Sequence, residues 1–182
     1  HIKWLYGYVG CGKSAIAQTL AEEIAEVGKL AGSFFFFRAA DERSRMAKLP
    51  VTLAYQLSMS VPETEPWIRK AVTADPTLLT PDAHSLQMRM KRLVYDPFVH
   101  ATSTSDHTAP GSATISPYLI VIDGLDECID HDQVEDFVVE LLSFFQSHPT
   151  TPLRVLIASR IEQHIQRHLH TDAVSLEDLV DH

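Results

Sequence analysis

Residues 7–14 of this chain read Gly7-Tyr8-Val9-Gly10-Cys11-Gly12-Lys13-Ser14, which matches the pattern G-x-x-x-x-G-K-[ST] in full. Glycines at these positions let the backbone curl so that successive N–H groups point at anionic oxygens. The lysine supplies a compact positive charge, and the serine offers a hydroxyl to Mg²⁺. The stretch therefore predicts a phosphate-binding loop, and the alternative is a glycine-rich turn that ends in a surface lysine.

The segments on either side of this loop support the prediction. Ile2–Tyr6 is short and apolar, as expected for a buried strand. After the loop, apolar residues recur at helical spacing up to a predicted C-terminal cap at Gly28, namely Ile16, Leu20, Ile24 and Val27. A helix that begins at the loop adds the positive end of its dipole to the phosphate site.

The rest of the chain alternates predicted strands with predicted helices. Further apolar strand segments occupy residues 30–37, 118–122 and 153–158. Helices are predicted to start near Pro50, Pro66 and Pro81, at a capping box of Asp132 with Glu135, and over residues 161–170. Continuous apolar strands separated by helices indicate an α/β fold of three layers with a central, mostly parallel sheet. The 182 residues suit a single domain.

Composition excludes several classes of protein. The formal net charge of -9 argues against a nucleic-acid binder, and no apolar run approaches the ~20 residues of a membrane span. The two cysteines, Cys11 and Cys128, indicate no disulfide framework and hence a reducing, cytoplasmic location. Residues 100–117 lack large apolar side chains and predict a flexible loop. Because the chain opens on His1 and enters a strand at once, we expect it to be a fragment of a longer protein.

Acidic residues follow the predicted strand 118–122. Ligands of open α/β sheets lie outside the carboxyl ends of the strands, so Asp123 is expected to hold the Mg²⁺ shell. Glu127 is expected to polarise the attacking water, with Asp126 supporting the metal or the water. The alternative is a solvated turn. Arg160, at the end of the last strand, could bring a guanidinium near the γ-phosphate, or could be a surface arginine.

Two minor signals have ordinary explanations. Cys11 could be a reactive thiol at a helix N-terminus, but a small residue tolerated in the loop is the preferred interpretation. His164 and His168 have a spacing that can bind Zn²⁺, but no cysteine or carboxylate completes an obvious ligand set, so solvated histidines are preferred.

With these elements assembled, the sequence resembles a NACHT domain of the STAND class of P-loop ATPases, most like those of fungal NOD-like receptor proteins. The resemblance covers about residues 2–160. It is carried by the phosphate-binding loop and by the segments Trp4-Leu5-Tyr6-Gly7, Gly32-Ser33-Phe34-Phe35-Phe36-Phe37-Arg38, Thr52-Leu53-Ala54-Tyr55-Gln56-Leu57, Asp123-Gly124-Leu125-Asp126-Glu127-Cys128 and Ala158-Ser159-Arg160.

The resemblance implies a P-loop NTPase fold, Mg-ATP binding with slow hydrolysis, and exchange of ADP for ATP that drives homo-oligomeric assembly of the parent receptor. It implies that Asp126 and Glu127 are the hydrolytic acids, that Arg160 is the sensor arginine and that Asp123 and Ser14 bind Mg²⁺. Arg38 is a weaker candidate, because an arginine that braces the acidic turn would look the same. The nucleotide-binding residues expected are Gly7, Gly10, Cys11, Gly12, Lys13, Ser14, Ala15 and Arg38.

Two other functions fit the same loop. One is a P-loop kinase that passes the γ-phosphate to a small acceptor, although the paired acids favour water as the acceptor. The other is a non-catalytic module that holds nucleotide as a structural ligand and acts through oligomerisation.

Overall fold

The computed structural model describes residues 1–39, 44–81, 83–103, 116–169 and 174–178. Five strands form one sheet in the order β2-β3-β4-β1-β5, and every pairing is parallel. The strands are β1 (Ile2–Tyr6), β2 (Leu30–Phe35), β3 (Tyr118–Asp123), β4 (Leu153–Ser159) and β5 (Val174–Asp178). The predicted α/β fold with a parallel central sheet is confirmed.

Seven α-helices cover the sheet in the part of the chain that the structure describes. They are α1 (Lys13–Glu26), α2 (Leu49–Ser60), α3 (Glu65–Ala74), α4 (Leu86–Met90), α5 (Asp96–Ser103), α6 (His131–Ser147) and α7 (Gln163–Leu169). A π-helical segment, Lys91–Tyr95, joins α4 to α5. None of the helices in the described ranges combines the length and the apolarity required to cross a lipid bilayer.

Side chains alternate between the two faces of the sheet along each strand, and a hydrophobic core lies on each face. On β3, Ile120 and Ile122 join the large core formed with α2 to α7, whereas Val121 faces the smaller core beneath α1. The apolar face of α6 lies in the large core, where Val134, Phe137, Val138, Leu141 and Phe145 are all buried. These two cores make the three layers that hold the strand ends in place.

Helix α1 meets the sheet mainly through small residues, and only part of its predicted apolar stripe is buried. Its buried residues are Ala17 and Ala21, whereas Ile16 is 43% exposed and Val27 is 67% exposed. Small side chains let the helix backbone approach the sheet closely, and Leu20 packs beside them, partly buried. Gly28 ends the helix as predicted, with a φ of 66° and a Schellman bond from the Lys29 N–H to the Ile24 carbonyl of 2.9 Å.

Two local predictions are wrong, and a third is wrong at its first residues. Pro50 and Pro66 do start helices, but Pro81 precedes α4, which begins at Leu86 behind the N-cap Ser85. No capping box forms at Asp132, because the Glu135 carboxylate instead binds Arg167 and His168 on α7. The predicted loop 100–117 begins inside α5, which runs to Ser103; residues 104–115 of that prediction lie outside the described residues.

Candidate functional site

The ends of three strands meet at one edge of the sheet and surround a cleft. In the strand register, Asp123 on β3 lies beside Ala158 on β4, which lies beside Leu5 on β1. The end of β4 therefore sits between the phosphate-binding loop and the acidic turn. The cleft has a volume of about 320 Å³ and is lined by Val9, Gly10, Gly12, Lys13, Ser14, Ala15, Asp123, Gly124, Asp126, Glu127, Ser159 and Arg160.

The loop between β1 and α1 has the shape of an anion-binding nest. Gly10 and Gly12 adopt φ values of 81° and 90°, a left-handed conformation that glycine takes without strain. A Cβ added to either glycine would meet no heavy atom within 4 Å. The loop therefore needs glycine for its curvature and faces open space, as a loop that wraps a phosphate must.

Lys13 lies over its own loop. Its Nζ donates hydrogen bonds to the carbonyls of Gly7 at 2.9 Å and Tyr8 at 2.8 Å, and it lies 3.5 Å from the Cys11 Sγ. The ammonium group is half-buried at the cleft wall, where it adds positive charge to the nest of backbone N–H groups.

Ser14 and Asp123 come together although 109 positions separate them in the chain. The Ser14 hydroxyl lies near the Asp123 carboxylate in the cleft, and Asp123 is 5% exposed. Burial raises the pKa of Asp123 above its usual value, and the neighbouring Ser14 hydroxyl and Gly124 backbone oppose that shift. A buried carboxylate beside a hydroxyl is an oxygen donor pair of the kind that Mg²⁺ prefers, so these residues fit the cation.

The acidic turn after β3 contacts both predicted arginines. The Asp126 carboxylate accepts the Arg160 backbone N–H at 2.8 Å and lies 3.3 Å from the Arg160 Nε. The Arg38 guanidinium donates to the Asp126 carbonyl at 3.0 Å, and the Arg38 N–H donates to the Glu127 carboxylate at 3.0 Å. Arg38 therefore braces the acidic turn, as its alternative interpretation expects, whereas Arg160 lines the cleft.

A buried chain of hydrogen bonds lies behind the cleft, and the sequence does not predict it. The Trp4 indole N–H donates to the Ser159 Oγ at 2.9 Å, and the Ser159 hydroxyl donates to the Arg160 carbonyl at 2.9 Å. Trp4 is 1% exposed. The polar residue at the end of β4 was visible in the sequence, but its partner depends on β1 lying next to β4, which no local pattern reveals.

The histidines of α7 do not gather into a metal site. The His164 ring stacks on His131 with centroids 4.7 Å apart, and the His168 Nε2 lies 3.4 Å from the Glu135 carboxylate. In the described ranges, no group of three or more histidine, cysteine, aspartate or glutamate side chains could hold a metal ion.

The parallel sheet, the phosphate-binding loop and the acidic strand end define the class of this protein as a P-loop-like α/β domain. The model of the family described as nephrocystin 3, N-terminal, matches residues 1–160, and the chain belongs to this family. That match does not show the narrower NACHT resemblance, which stays a prediction.

Comparison with individual proteins adds little. No curated protein matches the chain. Among solved structures, the chain is similar to the cytoplasmic domain of the type VII secretion ATPase EccC of Thermomonospora curvata, with 18% identity and a TM-score of 0.42. The match covers 92% of this chain and 19% of that one.

Proposed function

We propose that this domain binds Mg-ATP, hydrolyses it slowly and acts as a nucleotide-controlled switch of the NACHT type. The observation that carries the proposal is the convergence of Lys13, Ser14 and the buried Asp123 at one cleft. A nucleotide site needs a phosphate-binding lysine and oxygen ligands for Mg²⁺ together in one cleft.

Each side chain has a role in this proposal. Loop N–H groups and Lys13 bind the phosphates, while Ser14 and Asp123 hold Mg²⁺, which when bound neutralises charge on the phosphate oxygens. Glu127 lines the cleft, half-buried, and orients the attacking water. Arg160 stabilises the charge on the terminal phosphate, because a guanidinium stays ionised and binds two oxygens at once.

The biological setting of the proposal comes from the NACHT resemblance. Exchange of ADP for ATP in the cleft would drive self-assembly of a cytoplasmic parent protein in NOD-like receptor signalling. The preference for ATP over GTP rests on the same resemblance, and the chain has no guanine-recognition motif of the Asn/Thr-Lys-x-Asp type.

The test is calorimetry of Mg-ATP binding to the wild-type chain and to Lys13→Ala. Loss of a charge-assisted contact worth about 1.5–3 kcal/mol should weaken binding by roughly ten- to a hundredfold. Lys29→Ala is the matched control, because Lys29 lies at the other end of α1, over the Tyr118 ring at 4.4 Å. Unchanged affinity in Lys13→Ala would overturn the proposed function.

Hydrolysis is tested separately with Glu127→Gln. The variant should keep Mg-ATP affinity and lose phosphate release, because the amide cannot accept a proton from water. A wild-type chain that binds Mg-ATP but releases no phosphate would favour the non-catalytic alternative instead.

A further inference from the structure

We infer that Asp126 is a positioning residue that orients Arg160 toward the terminal phosphate of a bound nucleoside triphosphate, and is not a hydrolytic acid. The inference rests on the proposed function and assigns Asp126 a role different from the one that the family resemblance implies.

Both carboxylate oxygens of Asp126 are committed to a single residue. Oδ1 accepts the Arg160 backbone N–H at 2.8 Å, and Oδ2 lies 3.3 Å from the Arg160 Nε. Asp126 is 5% exposed, so little water competes for these contacts. One carboxylate thus holds both the main chain and the side chain of Arg160.

The contact leaves Arg160 suited to bind an anion. Its side chain is 45% exposed and lines the cleft, so it can meet a ligand there. A guanidinium has five N–H donors, and the ion pair with Asp126 is made at Nε. The two Nη groups supply the planar fork that recognises two oxygens of a phosphate.

The backbones of Asp126 and Arg160 are each held by a hydrogen bond from another residue. The Arg38 guanidinium donates to the Asp126 carbonyl at 3.0 Å, which anchors the turn from the side of β2. The Ser159 hydroxyl donates to the Arg160 carbonyl at 2.9 Å. With both backbones held, the Asp126 carboxylate controls the remaining freedom, which is the direction of the Arg160 side chain.

This arrangement separates the roles of the two neighbouring acids. A hydrolytic acid must direct a carboxylate oxygen at the attacking water. Asp126 uses both of its oxygens on Arg160, whereas Glu127 lines the same cleft and receives the Arg38 N–H on one oxygen, Oε2. We therefore assign water activation to Glu127 alone.

The experiment measures the affinities for Mg-ATP and Mg-ADP by calorimetry in the wild-type chain, Asp126→Asn, Arg160→Gln and the double variant. If Asp126 acts through Arg160, the ratio of ATP affinity to ADP affinity falls about tenfold in each single variant. In the double variant this ratio falls no further than in either single variant. Asp132→Asn is the matched control, since it removes one carboxylate charge at an exposed position of α6 outside the cleft and should keep the preference.

Other outcomes would overturn the inference. If Asp126 acted only through its negative charge, Asp126→Asn would raise the affinity for ATP relative to ADP. That change is opposite in sign to the loss of ATP preference expected here. An Asp126→Asn variant that loses hydrolysis but keeps its nucleotide preference would show a hydrolytic acid. A wild-type chain that binds neither nucleotide would overturn the proposed function itself. If the wild-type chain binds both nucleotides and Asp126→Asn keeps the preference for ATP, only this inference is overturned.

Arg160→Lys provides a second route if Asp126→Asn fails to fold. Lysine keeps the positive charge but lacks Nε and the planar fork. It should retain overall Mg-ADP binding and lose the ATP preference to the same extent as Arg160→Gln. Full retention of the ATP preference in Arg160→Lys would contradict the positioning role.

Discussion

At the scale of single residues, Cys11 and Cys128 are chemically different thiols because they lie in different surroundings. Cys128 is buried, and that burial raises the pKa of its thiol to about 11, so thiolate is scarce at neutral pH. Cys11 is half-buried in the phosphate-binding loop, with its Sγ 3.5 Å from the Lys13 Nζ. Access and a neighbouring cation favour reaction at Cys11.

A maleimide or disulfide reagent should therefore modify one thiol per native chain, at Cys11. Mg-ATP should slow the reaction, because a phosphate in the loop would cover the sulfur. Mass spectrometry with and without nucleotide measures both effects, and Cys11→Ser should leave the native chain unreactive. Equal modification of the two cysteines under native conditions would contradict this prediction.

The buried Asp123 carboxylate lowers the stability of the nucleotide-free domain at neutral pH. Burial raises the pKa of its carboxyl above 3.8, so the stability that this group contributes is present at pH below 3.8 and is lost as the pH rises through the folded-state pKa. At neutral pH the ionised form is destabilising unless a cation lies beside it.

Asp123→Asn should therefore raise the thermal midpoint of the nucleotide-free chain at neutral pH while removing the additional stabilisation by Mg-ATP. The amide keeps the size of the side chain but brings no charge to Mg²⁺. Scanning calorimetry with and without Mg-ATP measures both changes. A lower midpoint for the nucleotide-free variant would show that the carboxylate stabilises the fold by itself.

At the scale of elements, two glycines with the same backbone conformation end different elements. Gly124 follows β3 with a φ of 69°, and Gly28 follows α1 with a φ of 66°. A Cβ on Gly124 would lie 2.9 Å from the Phe36 carbonyl oxygen, whereas a Cβ on Gly28 would meet nothing within 4 Å. Conformation requires glycine at both positions, but close packing requires it only at Gly124.

Gly124→Ala should lower the free energy of unfolding by about 2–4 kcal/mol, from left-handed strain plus overpacking. Gly28→Ala is the matched control and should cost about 1 kcal/mol, from the strain alone. Urea unfolding of the two variants measures the difference. Equal losses of unfolding free energy in the two variants would contradict this prediction. They would mean that Phe36, just after β2, moves away from the added methyl group at no cost.

At the scale of the whole molecule, helices α6 and α7 pack through titratable side chains. His164 stacks on His131, and its Nε2 is buried without a hydrogen-bond partner among the described residues. Burial and then the neighbouring His131 lower the pKa of His164 below 6.5; Arg167 acts in the same direction, while Glu162 and Glu135 oppose them. The fold therefore favours the neutral imidazole.

Because the folded-state pKa of His164 is depressed, its contribution to stability is present above pH 6.5 and is lost as the pH falls through the folded-state value. The free energy of unfolding should decline from about pH 7.5 to about pH 5.5, and His164→Gln should flatten that decline. Urea titrations across this range measure the slope. An unchanged slope in the variant would assign the pH dependence to other groups.

Much of the fold was predictable because its signals are local. The apolar strands, the helix that ends at Gly28 and the apolar face of α6 follow from residues close together in the chain. Errors arose where a distant partner decided the outcome. The Glu135 carboxylate binds α7 instead of capping its own helix, and in α1 the small residues Ala17 and Ala21 are buried whereas Ile16 and Val27 are exposed.

Local sequence is enough to predict the phosphate-binding loop, since glycine, lysine and serine act there through the conformation of eight consecutive residues. The tertiary structure alone decided what surrounds the loop. The bond from Arg160 to Asp126 spans 34 positions, that from Arg38 to Asp126 spans 88 and that from Trp4 to Ser159 spans 155. These contacts depend on the strand order β2-β3-β4-β1-β5, which is set by the packing of the whole sheet.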